Sequence, residues 1–133
     1  MKVFVYGTLK PKEYNYQAYC VGRVIEETKA YTWGEIYHLP DLGYPGMTEG
    51  NNRVYGFLLT FADDSILSAL DRLETYDPVR SPEDNEYQRL IVTAYRPSGE
   101  SLGEAWAYFM TKAKVKKLGG ILLPAGSWNG NSC

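Results

Sequence analysis

The sequence predicts an α+β protein, a small β-barrel with flanking short helices, on three observations. Short runs rich in β-branched and aromatic residues recur at 2–6, roughly 21–28, 33–39, 54–61, 87–95 and 104–110, the composition that suits a pleated, half-buried surface. Glycines and prolines punctuate them, most densely at Asp41-Leu42-Gly43-Tyr44-Pro45-Gly46 and Arg96-Pro97-Ser98-Gly99, where turn chemistry is the natural reading. One segment, near residue 70, carries a clear helical period. With 133 residues and no internal repeat or Pro/Ser-rich linker, the chain is expected to form one domain over 1–133.

The first strand, Lys2 to Tyr6, runs straight into a glycine turn, Val3-Phe4-Val5-Tyr6-Gly7-Thr8-Leu9-Lys10. Gly7 has no Cβ, so its backbone can take dihedrals closed to other residues and leave neighbouring N–H groups facing an anion or a developing oxyanion. An ordinary tight turn is the plainer reading of the same residues. Glu13 to Cys20 is a candidate short helix, opposed by the weak helix propensity of its three tyrosines.

The clear helix follows Asp63-Asp64-Ser65, which offers N-cap oxygens and negative charge to Ile66-Leu67-Ser68-Ala69-Leu70-Asp71-Arg72-Leu73-Glu74, and Pro78 stops it. Ile66, Ala69, Leu70 and Leu73 share one face, with Ser68, Asp71 and Arg72 turned away from it. Stepping about 100° per residue puts Glu74 between Leu70 and Leu67, on the buried side. Burial, together with the negative end of the helix dipole, raises a carboxyl's pKa and suits it to act as a general base. The alternative is that the helix has frayed by Glu74, leaving the side chain in solvent or paired with Arg89.

Composition narrows the function. A formal net charge of −2 with 23% charged residues provides no basic field, so a small molecule is expected as partner rather than nucleic acid or a membrane surface. No apolar run approaches a membrane span. Cys20 and Cys133 lie far apart without CxxC spacing and no signal-like segment follows Met1, so a reduced, cytoplasmic protein is expected. His38 is the sole histidine and neither cysteine is near it in sequence, which argues against a metal site or a Cys-His pair. Ser65, Ser68 and Ser81 lack a GxSxG setting, and Gly7-Thr8-Leu9-Lys10 lacks the P-loop ending. The lysines at 112, 114, 116 and 117 read as a solvated loop or strand edge.

The opening Val-Phe-Val-Tyr-Gly-Thr-Leu-Lys, the middle Leu70-Asp71-Arg72-Leu73-Glu74, the later Tyr87-Gln88-Arg89 and the tail Leu123-Pro124-Ala125-Gly126-Ser127-Trp128 occur in one order. Together they resemble the γ-glutamylcyclotransferase-like family, in the branch containing γ-glutamylamine cyclotransferase and plant avirulence-induced proteins. The resemblance spans nearly the whole chain. It implies a mixed barrel whose cavity binds a γ-glutamyl group and expels 5-oxoproline, a transferase or lyase reaction that needs no cofactor. It assigns Glu74 as the catalytic carboxylate and Tyr6, Gly7, Thr8 and Leu9 as the substrate loop. Tyr108 falls where the family often has a pocket tyrosine, and equally reads as one more half-buried strand aromatic. Arg89 could pair with Glu74 or with a substrate carboxylate. Glu35 and Glu49 are further carboxylates able to approach the cavity.

Two departures stand out. Many relatives carry glycine just after the catalytic glutamate where this chain has Thr75-Tyr76, and Pro11-Lys12-Glu13 interrupts the usual pattern after Lys10. The 14% aromatic content suits either a homodimer interface or the core of a small barrel.

Overall fold

The computed structural model describes residues 1–81 and 84–130; Cys133 lies outside the described residues. In chain order the elements are β1 (Lys2–Val5), α1 (Tyr14–Tyr19), β2 (Val24–Leu39), β3 (Tyr44–Phe61), α2 (Leu67–Leu73), β4 (Gln88–Tyr95), β5 (Ser101–Phe109), α3 (Lys112–Lys117) and β6 (Ile121–Leu122). β1 pairs antiparallel with β3 and parallel with β5, β5 with β4, β4 with β2, and β2 back to β3. Five strands thus close into a mixed barrel, which removes the exposed sheet edges. β6 adds to β2 at Tyr37 and His38.

The runs expected at 21–28 and 33–39 are one strand. Ala30, Tyr31 and Thr32 carry the ladder through the gap, pairing with Gly56, Tyr55 and Val54. The punctuated segment 41–46 is shorter as a turn than expected. Only Gly43 takes a left-handed φ (+74°), both the Leu42 and Gly43 amides donate to the Leu39 carbonyl, and β3 has begun by Tyr44. Pro45 is tolerated near a strand start, where its missing N–H is least needed.

β1 is buried on both faces, which explains its unbroken apolar run. Phe4 and Tyr6 pack with Ile36, Met47, Val54 and Trp128 inside the barrel. Val3 and Val5 pack on the other side with Leu9, Ile66, Leu70 and Val115 beneath the helices. The tail is locked in: Trp128 is buried, its indole N–H donates to His38 Nδ1 at 3.0 Å, and the Tyr55 amide donates to the Gly126 carbonyl at 2.8 Å. His38 therefore serves the core. Burial pushes the free Cys20 thiol up to about 11.

Two sequence expectations are corrected. The lysine-rich stretch is neither loop nor strand edge but α3, capped by Thr111, whose Oγ1 accepts from the Lys114 amide at 3.1 Å, and anchored by buried Val115. Helix α2 starts one residue later than the pattern suggests and lacks a side-chain cap. Asp63 instead accepts from the Ser65 amide at 3.0 Å.

Candidate functional site

Several elements converge on a cavity of about 110 Å³ at the C-terminal end of β1. The 6–9 turn lines it and so does Asn15 at the start of α1. Leu73 and Glu74 reach it from the end of α2, Glu86 and Tyr87 from the approach to β4, Tyr44 and Pro45 from the start of β3, and Tyr108 from β5.

The turn owes its shape to packing. Gly7 has no left-handed φ, so the conformational freedom read from its sequence is not what the position uses. A Cβ there would meet Pro45 Cγ at 2.8 Å, and only glycine lets the turn pass so close to β3. The Gly7 carbonyl accepts from the Lys10 amide at 3.0 Å, while Asn15 holds Thr8 twice, amide to carbonyl at 3.0 Å and Nδ2 to Oγ1 at 2.8 Å. The amides of Gly7, Thr8 and Leu9 donate no hydrogen bond among the described residues. Successive main-chain donors left without partners are of the kind that can bind an anion.

Glu74 sits at the C-cap of α2, one residue beyond the last helical position, yet its side chain lines the cavity. Burial raises its carboxyl to about 8, and the negative charge of Glu86 adds to the effect. Among the described residues the carboxyl takes no hydrogen bond or ion pair. The chain turns away from α2 by a Schellman closure: the Thr75 amide donates to Arg72 (3.2 Å) and the Tyr76 amide to Asp71 (2.8 Å). Thr75 takes φ +51° to do so, a strained value for a β-branched residue. Glycine at this position would avoid that strain.

The tyrosines are tied to the barrel. The Tyr6 hydroxyl donates to the Tyr108 carbonyl at 2.6 Å and accepts from the Met47 amide at 3.2 Å. Tyr87 donates to the Pro45 carbonyl at 2.5 Å. Burial first, then nearby charge including Glu74, holds both phenols well above the usual range. Tyr108 lines the cavity and donates to Asp71 Oδ1 at 2.7 Å.

Arg89 takes neither of its two expected positions. Its Nε pairs with Asp71 Oδ1 at 2.9 Å, its guanidinium lies 4.4 Å from the centre of the Trp106 ring, and it does not line the cavity. The helical wheel turned Asp71 away from the core, but this tie to Arg89 and Tyr108 draws it into a half-buried position. Glu35 is engaged by the Tyr37 hydroxyl at 3.3 Å, Glu49 is exposed, and neither lines the cavity.

Sequence reasoning missed Glu86 and Tyr44. The Tyr44 hydroxyl donates to Glu86 Oε1 at 2.5 Å, and the Glu86 amide donates to the Thr75 carbonyl at 3.2 Å, tying it to the end of α2. Its place just before Tyr87-Gln88-Arg89 was the available signal. Nothing local says that a residue ahead of β4 folds back beside Glu74.

A closed mixed barrel with a carboxylate and a row of amides at the end of its first strand belongs to a known class. The family described as Gamma-glutamyl cyclotransferase, AIG2-like, matches residues 3–130, and the chain belongs to it. It is 34% identical over 134 residues to the Gamma-glutamylcyclotransferase family protein ytfP of Citrobacter rodentium, covering 96% of this chain and 95% of that protein. It is 32% identical over 135 residues to YtfP of Escherichia coli K12, covering 96% of each. Among solved structures, an AIG2-like protein from Mus musculus superposes with a TM-score of 0.74 over 98% of this chain and 89% of that one. At 19% identity that likeness speaks for the fold alone. The solution structure of ytfP from Escherichia coli matches with a TM-score of 0.58 and 27% identity over 96% of both chains. Among the described residues no helix is long and apolar enough to cross a membrane.

Proposed function

We propose that this protein is a cyclotransferase that releases 5-oxoproline from a γ-glutamyl amine or related γ-glutamyl compound, with Glu74 as general base and then acid and the Tyr6–Leu9 turn binding the substrate. The observation that carries the proposal is a carboxyl with proton affinity raised to about 8 in the same small cavity as three unused backbone donors.

A free α-amino group has a pKa of about 8 and is mostly protonated, hence non-nucleophilic, at neutral pH. A carboxyl of nearly equal proton affinity takes that proton at little free-energy cost. The freed nitrogen attacks the γ-carbonyl carbon within the same molecule, where orientation supplies much of the rate. As the new C–N bond forms, negative charge develops on the carbonyl oxygen, which the Gly7, Thr8 and Leu9 amides are available to stabilise. The old amide bond then breaks, its electron pair stays on the departing nitrogen, and Glu74 returns the proton there. The products are 5-oxoproline and an amine, with no water consumed and no cofactor required.

Incubation with γ-glutamyl amines, peptides and amino acids tests the proposal: 5-oxoproline should appear, and Glu74→Gln should lower turnover about 10²-fold or more while leaving the fold intact. Absence of 5-oxoproline from all three classes overturns it. The rival is a non-catalytic binder of a small anionic metabolite, favoured by the three unused amides. It predicts ligand-dependent thermal stabilisation that survives in Glu74→Gln. Among the described residues the cavity wall carries no lysine, arginine or histidine, which weighs against a ligand that is only anionic. A cytoplasmic location, a homodimer, and the lack of a nucleic-acid or membrane partner belong to the same proposal.

A further inference from the structure

We infer that Glu86 binds the α-ammonium group of the substrate and so selects γ-glutamyl compounds whose α-nitrogen is free, an assignment that rests on the cyclotransferase reading above. The charge balance of the cavity leads to it. Among the described residues its lining contains two carboxylates, Glu74 and Glu86, and no basic side chain. The candidate cation, Arg89, is engaged by Asp71, and Lys114 reaches instead to the Asn85 carbonyl. An ionised carboxylate on a partly desolvated wall is unfavourable unless something of opposite charge arrives.

The two acids are not equivalent. Glu74 lacks hydrogen bonds among the described residues, and burial first, then the negative charge of Glu86, raises its proton affinity. Glu86 is fixed in place by a short bond from the Tyr44 hydroxyl, 2.5 Å to Oε1. Its amide is anchored on Thr75. No described residue donates to its other oxygen, Oε2. One cavity thus holds an unpartnered carboxyl, a second carboxyl anchored by Tyr44, and a row of amide donors. An α-amino-acid headgroup is complementary to that set: carboxylate or γ-carbonyl oxygen to the amides, ammonium to Glu86. During reaction the α-nitrogen gives its proton to Glu74, and Glu86 takes no part in the transfer.

Calorimetric titration of Glu74→Gln, in which turnover is suppressed, tests this with two probes: γ-N-ethyl-L-glutamine and its α-N-acetyl derivative, which lacks the ammonium charge. The free amine should bind at least about tenfold more tightly, the scale of a hydrogen bond to a charged group. Adding Glu86→Gln should reduce that ratio to within about twofold. Tyr44→Phe, which keeps the carboxylate but releases its anchor, should reduce it partway and carries the test if the double variant fails to fold. An unchanged ratio in the folded Glu86 variant, or in Tyr44→Phe if that variant stands in, overturns the role of Glu86. If 5-oxoproline still forms in wild type, the cyclotransferase reading survives that loss. If neither probe binds and no 5-oxoproline forms, that reading fails and takes the Glu86 assignment with it.

Discussion

The two polar walls of the cavity are assembled in different ways. On one side, Gly7, Thr8 and Leu9 present main-chain N–H groups from three adjacent residues, placed by the end of β1 and by Asn15. On the other, Glu74 and Glu86 present side chains from separate elements, joined through the strained Thr75 and its contact with the Glu86 amide. Main-chain donors survive nearly any substitution that leaves the turn's path intact. Carboxylates depend on both residue identity and the non-local contact that aims them. The amide wall should therefore fail through sterics and the acidic wall through chemistry.

The largest expected effect is on the acidic wall. Beyond its loss of turnover, Glu74→Gln should change stability with a definite sign. The folded-state value of about 8 lies above the ordinary 4.5, so the native state holds the proton longer than the unfolded chain. That stabilisation is complete below the ordinary value and is lost as pH rises toward 8, at up to about 1.4 kcal/mol per decade of proton concentration. The glutamine variant should match wild type near pH 4 and melt higher at pH 8 to 9. A melting difference independent of pH would show that Glu74 faces bulk water.

Gly7→Ala probes the amide wall. A methyl 2.8 Å from Pro45 Cγ forces the turn or β3 to move, at about 1–3 kcal/mol of stability. Turnover should fall at least about tenfold, because displaced oxyanion donors are costly. Unchanged kinetics would separate the turn from the chemistry.

Asp71→Asn should be smaller, about 1–2 kcal/mol by chemical denaturation, since its bonds to Arg89 and Tyr108 are only partly shielded from water. Effects on KM with little change in kcat would mark it as support for the Tyr108 wall. The smallest change is a gain: Thr75→Gly should stabilise by about 1 kcal/mol by relieving the left-handed strain, without moving Glu74. A loss of stability would mean that the threonine side chain contributes more than its backbone costs.

The sequence by itself determined a strand-rich chain with short helices and a first strand ending in a turn, and it offered an inward-facing Glu74 as one of two readings. These follow from local rules: alternating or continuous apolar runs, the missing Cβ of glycine, and the helical repeat that puts Glu74 beside Leu70. The order of the motifs carried the resemblance, and the resemblance added the mixed barrel. Tertiary structure decided the rest. It joined two predicted strands into β2, because ladder hydrogen bonds hold Ala30 to Thr32 extended whatever their own preference. It turned the lysine run into α3, since burying Val115 and capping with Thr111 outweigh the repulsion among exposed charges. It gave Arg89 to Asp71 rather than to Glu74, and set Glu86 in the cavity beside it. Such pairings depend on distances between residues far apart along the chain, and those distances exist only once the barrel has closed.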